Sequence, residues 1–534
     1  MERSILWSLL FCLQFSVSAQ QFDWAKSIGG LGTDVARDLT VDQDGNVIVV
    51  GSFSGSANVD GTWMSGDGVL EAFVAKFTAN GDLLWTRVIT GPGEDMARGV
   101  VTEDDGTIYV VGHFTDTVTF NISQTDTAAV KGKGGKDLFI AKYSADGEFI
   151  WYITGGGDED DTATDIDRYP WSGKLYVSGG FQDRGVFGTA QALSSGRTDA
   201  LLLKIDADGN VHWAKSGGGP EHDVASAVTV DQTNESIFIA GDFYLEAEFG
   251  ETQLQSVGSS DMFLARYDED GNQIWVQSNG GTNVDVATDI GVDLNNMVYV
   301  CGYYQLTTHF QSHSQTALGY NDVFLAQFNP DGNCNWLSSA GSNALDNCLG
   351  MDVAWDGTTY MCGMFEDEMF AGNLSVPGTG YDVFVLKHDP NGQPQYIKTA
   401  GSTSSDFGMA ACLAPDKSLF ISGYYFYYAD FDDVTIGNAE NGDAFVARLT
   451  GIVGMEDAED LDGSCFQFDP QSNSIISLCE LEGNWTLINA LGQVVDSGVL
   501  ETHETINISG TGVFLLVIDS DAGIFTKKVF SVSE

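Results

Sequence analysis

Positive charge is what this sequence has least of: 23 Lys and Arg stand against 76 Asp and Glu, a net charge of −53 over 534 residues. Such a surface repels nucleic acid phosphates and anionic lipid head groups, and no basic patch offsets it, so neither is an expected partner. Long apolar runs are also missing after residue 19, which excludes a span of the usual length of about 20 residues. No CxxC pair occurs, which argues against a zinc site. The seven histidines show no spacing to Ser or Cys that would mark a catalytic triad. The chain is therefore not read as an enzyme, and no cofactor is expected.

What is present is repetition. An alternating apolar run that follows an acidic residue starts at Glu71, Asp137, Asp199, Asp261, Asp322, Asp382 and Asp443, at spacings of 66, 62, 62, 61, 60 and 61 residues. After most of these runs comes an Asx-Gly turn and a short run ending in an aromatic, at Trp24, Trp85, Trp151, Trp213, Trp275, Trp336 and Tyr396. Two further runs precede each, one after a Gly-rich loop and an Asp, the other ending in Gly and an aromatic, as in Val298 to Tyr304. Period-2 alternation bounded by turn residues reads as strand, so each repeat supplies four strands. Four short strands in a long repeat are the mark of a propeller blade.

The two series are offset by one: Trp24 has no run before it, and Asp443 to Leu449 has no aromatic strand after it. Joining these orphans removes the two edges that an open array would expose. The predicted fold is all-β, a seven-bladed β-propeller over residues 21–450 closed by an N-terminal strand, followed by a small C-terminal β-sandwich.

The Gly-Gly loop with its following Asp, the Gly-x-aromatic strand end, and Asp-x-Phe-x-x-Lys with its Gly turn and Trp resemble the SBBP repeats of bacterial β-propellers, over roughly 430 residues. The resemblance implies architecture and leaves activity open. Residues 1–19, with Arg3, an apolar stretch from Ile5 to Phe15 and small residues up to Ala19, read as a secretory signal peptide. An acidic linker over 451–463 leads to a unit at 464–534. Its runs Leu487 to Val495, Gly512 to Ile518 and Thr526 to Val529 resemble the C-terminal sorting domain of type IX secretion substrates, a Bacteroidota-like feature. That resemblance implies the type IX secretion machinery as a partner and a secreted, extracellular or outer cell surface location. Cys301 and Cys362 read as buried small residues, while Cys465 and Cys479 could pair.

Positions that repeat serve the scaffold, and positions that vary are candidates for function. Asp34, Asp95, Asp161, Asp223, Asp285, Asp346 and Asp406 each open an innermost strand, and as a bare ring at the channel mouth they would repel by about 2 kcal/mol per neighbouring pair. Amides of the preceding Gly loop are the expected partners, helped by Arg37 and Arg98 in two blades, with a cation such as Ca²⁺ as the less favoured alternative. The varied column on the same face gives the ligand-binding candidates Asp242, Tyr244, Glu246, Tyr303, Glu366, Glu368, Tyr424, Tyr427 and Tyr428. Aromatic planes beside carboxylates suit sugar rings, and tyrosine also suits protein interfaces. The expected function is a binding module for extracellular glycan or protein. The alternatives are an adhesion or structural scaffold without a discrete ligand, and a polysaccharide-cleaving enzyme using Glu246 with Glu366 or Glu368.

Overall fold

The computed structural model describes residues 20–121 and 127–451, together with the strands that lie between residues 466 and 531. The described residues are all-β, with large antiparallel sheets. Between residues 21 and 450 the strands pair into seven antiparallel ladders of four. In the second ladder Asp95–Thr102 pairs Ile108–Asn121, which pairs Thr127–Tyr143, which pairs Phe149–Gly156. The innermost strands are Val35–Val41, Asp95–Thr102, Thr162–Tyr169, Val224–Val230, Asp285–Val292, Asn347–Val353 and Asp406–Leu413. Each lies against the next, and the first lies against the last.

The N-terminal strand Gln21–Gly30 is the fourth strand of the last ladder, paired from Phe22↔Leu449 to Ile28↔Ala444. Its last two residues then pair Asn58 and Ala57 of the first ladder. Similar clasps recur elsewhere, because the second strand of most ladders continues past its Gly-aromatic end into a hairpin that pairs the previous ladder's fourth strand, as in Gly217↔Phe249 and Ala340↔Ala371. The chain turns into the hairpin at a residue of positive φ, which is Gly55, Asp116, Asp183, Leu245, Leu306, Asp367 or Tyr427. The divergent loops of the sequence are thus one conserved geometry with varied side chains.

The repeating Trp ties adjacent ladders at the opposite end. Trp24, Trp85, Trp151, Trp213 and Trp275 donate their indole N–H to a carbonyl in the next ladder's third-to-fourth turn, at 3.0 to 3.2 Å. The indole lies on the turn glycine. At Gly147, where φ is +75°, a Cβ would sit 2.8 Å from the Trp85 ring. Gly147→Ala therefore meets both a steric and a conformational penalty. It should lower unfolding stability by about 1–3 kcal/mol in urea titration, and an unchanged midpoint would contradict this packing. Tyr396 stands at the tryptophan position of the sixth ladder, and the ladder after it has no such turn, since its third and fourth strands, Val434–Thr450 and Gln21–Gly30, are far apart in sequence. The Tyr396 hydroxyl has no hydrogen-bond partner among the described residues.

The first residue of four of these turns, Asp206, Asp268, Asn329 and Asp389, acts as an Asx cap, and Thr78 and Ser144 cap the other two through their hydroxyls. Asp268 accepts the N–H of Asp270 at 3.0 Å and of Asn272 at 2.8 Å, and Asp206 does the same for Asp208 and Asn210. Its carboxylate thus satisfies the turn's own amides. The core lies between ladders, each seam filled by apolar side chains from both, such as Phe22, Phe431 and Phe445 in one and Phe249, Phe263 and Tyr176 in another. Tyr304, Tyr425, Phe243 and Phe365 are fully buried, and so, as expected, are Cys301 and Cys362.

Beyond residue 465 two more antiparallel sheets form. One joins Phe466–Asp469, Ser474–Ser477 and Thr505–Asn507; the other joins Val494–Leu500, Gly483–Asn489, Gly512–Ser520 and Gly523–Ser531. The expected signal over 1–19, nearly all of the linker, and Cys465 and Cys479 fall outside the described residues. No helix among the described residues is long and apolar enough to cross a membrane.

Candidate functional site

Each innermost strand carries a β-bulge at the same place, three residues after its Asp. The register shifts between Ala36 and Asp38, Ala97 and Gly99, Ala163 and Asp165, Ala225 and Ala227, Ala287 and Asp289, Cys348 and Gly350, and Gly408 and Ala410. A bulge leaves one residue out of the ladder and re-aims its side chain. The seven bulged residues, Arg37, Arg98, Thr164, Ser226, Thr288, Leu349 and Met409, all line one cavity of about 320 Å³ enclosed by the innermost strands. Small residues just before the bulge, Ala36, Ala97, Ala163, Ala225, Ala287 and Cys348, are fully buried, which lets the strands crowd together.

The bulge also explains three carboxylates in the cavity wall. Asp38, Asp165 and Asp289 occur in alternate ladders, and each accepts the N–H of its own successor and one from the next ladder: Val100 at 2.8 Å, Val228 at 2.9 Å and Met351 at 2.7 Å. They stitch seams. Burial, then the charge of Asp165, pushes Asp38 up to about 8; burial pushes Asp165 up to about 6, and burial with Asp165 beside it holds Asp289 well above the usual carboxylate range. The hydroxyls of Thr164 and Thr288 are likewise used across seams, donating to the carbonyls of Ala225 at 2.6 Å and Cys348 at 3.1 Å.

The ring of Asp residues that opens the innermost strands is not a bare mouth. Asp34, Asp95, Asp161, Asp223, Asp285, Asp346 and Asp406 are fully buried. Most accept the N–H of the residue four before, for instance Gly30 to Asp34 at 2.9 Å, Gly219 to Asp223 at 2.6 Å and Gly281 to Asp285 at 2.7 Å. Asp95 differs because Glu71, one methylene longer than its counterparts, takes the Gly91 amide at 3.2 Å, and neither Asp95 oxygen makes a well-formed hydrogen bond among the described residues. The charge each of these feels is the third-strand carboxylate of the preceding ladder: Asp443 for Asp34, Asp137 for Asp161, Asp199 for Asp223 and Asp382 for Asp406. Arg37 and Arg98, read from the sequence as partners of this ring, form no ion pair with it; their bulged position turns them to the cavity instead. Among the described residues no group of three or more His, Cys, Asp or Glu is arranged to hold a metal ion.

The ligand candidates divide. Asp242, Tyr303 and Tyr424 share one register position beside the innermost strands, opposite Val224, Val286 and Phe407. Burial, then Asp223, raises Asp242 to about 7, and burial followed by the charges of Asp242 and Tyr244 raises Tyr303, so these three groups are neighbours. Tyr424 stacks on Phe407 at 4.6 Å, and Phe407 on Tyr381 at 5.9 Å, so one face of the Tyr424 ring is already covered. Glu246, Glu366, Glu368, Tyr427 and Tyr428 belong to the bends and clasp hairpins. Tyr427 is itself the positive-φ bend residue, 63% exposed.

Two features escaped the sequence reading. One is the bulged column, whose mix of Arg, Thr, Ser, Leu and Met is as varied as any column in the repeat and could have been picked out by that variety alone. The other is a set of exposed apolar side chains on the fourth and fifth ladders, at the end that carries Tyr244 and Tyr303: Leu245 and Leu306 at the bends, Val257 in the strand Thr252–Tyr267, and Leu318 and Tyr320 in the loop before Asp322–Phe328. Tyr320 is 76% exposed.

No family model matches the chain. It is 22% identical over 455 residues to an uncharacterized WD repeat-containing protein, L264, of Acanthamoeba polyphaga mimivirus, a match covering 69% of this chain and 32% of that protein. Among solved structures, Sqt1 from Chaetomium thermophilum aligns over 96% of this chain and 100% of its own, at 10% identity and a TM-score of 0.37. A member of the duf4221 family from Bacteroides vulgatus aligns over 65% of this chain and 91% of its own, at 10% identity and a TM-score of 0.29. The chain thus spans about a third of the length of the WD-repeat relative.

Proposed function

We propose that the chain is a closed seven-bladed β-propeller of the SBBP kind, exported through its N-terminal segment and carried outward by its C-terminal unit. Its role is to bind extracellular glycan or protein at the end of the fourth and fifth ladders. One observation carries the reading: in a chain of net charge −53, Leu245, Val257, Leu306, Leu318 and Tyr320 stand exposed on two adjacent ladders beside Tyr244, Tyr303 and Asp242. Exposed apolar side chains grouped at one end, with tyrosines that offer both a ring and a hydroxyl, favour a contact surface. A carboxyl held near neutrality among them can donate as well as accept a hydrogen bond.

The test is a binding screen of the full secreted chain against extracellular polysaccharides and surface proteins, with the wild type and Tyr303→Ala/Tyr320→Ala compared. Loss of about 2 kcal/mol or more of binding energy in the double variant, against little change in Glu368→Ala, supports this surface. Equal binding by both would move the contact elsewhere, and release of product from any polymer would replace the reading by an enzymatic one.

A further inference from the structure

Arginine is scarce in this chain, which makes its placement informative. Eight arginines lie in the described residues, and Arg87, Arg168, Arg184, Arg197, Arg266 and Arg448 all have hydrogen-bond or ion-pair partners there. The two others, Arg37 and Arg98, have none among the described residues, and the Nε of each is buried without a partner. Both project from bulges of adjacent innermost strands into the axial cavity. Burial, then the positive charge of Arg37 beside it, brings the Arg98 guanidinium down to about 10. On the same side lies His113, fully buried, with neither ring nitrogen bonded; burial, then Arg98, Lys136 and Arg37, drives it well below the usual histidine range and so keeps it neutral.

Two like charges side by side without a counter-charge cost several kcal/mol when desolvated. The protein has 76 carboxylates and sets none of them against this pair as an ion partner among the described residues. The cavity's own carboxyls, Asp38, Asp165 and Asp289, are each committed to two backbone amides in the seams. Next to Arg37 round the ring the wall is apolar, with Met409 and then Leu349, and Ser226 lies across the ring from the two arginines.

We propose that the axial cavity is a binding site for a small oxyanion, held by the paired guanidinium forks of Arg37 and Arg98, with the apolar wall of Leu349 and Met409 receiving the body of an organic acid. A guanidinium matches the two oxygens of a carboxylate, sulfate or phosphate by paired N–H donors. A cavity of about 320 Å³ has room for a single acidic monosaccharide and not for a polymer. The site stands apart from the exposed end of the fourth and fifth ladders, and neither depends on the other.

The test titrates the full chain by calorimetry and thermal unfolding in low-chloride buffer with sodium glucuronate, sodium sulfate and, as the uncharged control, glucose. Saturable binding of glucuronate with a rise in unfolding temperature, and weaker or no binding of sulfate, identifies an organic acid; equal binding of both identifies an inorganic oxyanion site; either supports the proposal. Arg37→Met/Arg98→Met should weaken binding at least about tenfold while its unliganded form unfolds no earlier than the wild type, since the repelling charges are gone. If that variant does not fold, Arg98→Lys, which keeps the charge and loses the fork, carries the same comparison. No saturation with either anion at millimolar concentration, equal uptake of glucose, or undiminished affinity in the arginine variants overturns it.

Discussion

Removal of residues 21–30 should abolish cooperative folding of the chain up to residue 450. The N-terminal strand supplies the fourth strand of the last ladder, from Phe22↔Leu449 to Ile28↔Ala444, and also the clasp onto Ala57 and Asn58 of the first. Without it the edge of Val434–Thr450 is open, and Phe431 and Phe445 lose the Phe22 side chain that covers them. An open edge of this length invites pairing with another chain. Phe22→Ala alone, with the ring 5.1 Å from Phe431 and 1% exposed, should cost about 3–5 kcal/mol. Trp24→Ala should cost a similar amount by freeing the Ala79 turn. Chemical denaturation followed by tryptophan fluorescence measures both point variants, and sedimentation detects aggregation of the truncated chain. A truncated chain as stable and monomeric as the parent would refute ring closure by this strand.

Stability should fall as pH rises from about 5 to about 8, the reverse of ordinary acid denaturation. The cause is the set of carboxyls buried at the seams. Burial raises Asp34, Asp161, Asp285, Asp346 and Asp406 to about 7, Asp223 to about 6 and Asp95 to about 8; loop amides oppose this and the neighbouring third-strand carboxyl adds to it. A carboxyl whose folded pKa lies above its unfolded value binds a proton more tightly when folded. Its stabilisation is complete below about pH 4 and is lost as pH passes through 6 to 8. Each tenfold displacement of a proton equilibrium is worth about 1.4 kcal/mol, so a modest displacement at several seams gives a fall of about 5 kcal/mol. The lowered carboxyls, Asp42, Asp105, Asp206, Asp268, Glu269 and Asp416, act in the opposite sense and only below about pH 4. Urea midpoints at pH 5 and pH 8 decide the matter, and Asp285→Asn should narrow the gap between them. A midpoint that is flat or rises towards pH 8 would show the seam carboxyls to be ionised and compensated.

Much of this arrangement was legible before any coordinates. The Asx-Gly turns, the Gly-aromatic strand ends and the orphan strands at each end gave strand order and pairing partners, because alternation, turn chemistry and open edges are local and repeat. The Asp that opens each innermost strand was legible as a hydrogen-bond acceptor for its Gly loop. Its real neighbour was not, since the third-strand carboxyl of the preceding ladder is far away in sequence and meets it only across a seam, as Asp199 meets Asp223. The aromatics of the varied column were legible as candidates, but not that Tyr424 would lie covered by Phe407 or that Tyr427 would be a bend.

By itself the sequence determined the repeat: which residues alternate into strands, where glycine must permit a turn, and which acidic residues recur, all matters of near neighbours along the chain. Tertiary structure alone decided what faces the axis. A β-bulge displaces one residue per innermost strand by the pairing of two strands, so no periodicity in one strand announces it, and only the pairing turns Arg37 and Arg98 away from the ring carboxyls Asp34 and Asp95 and into a shared cavity.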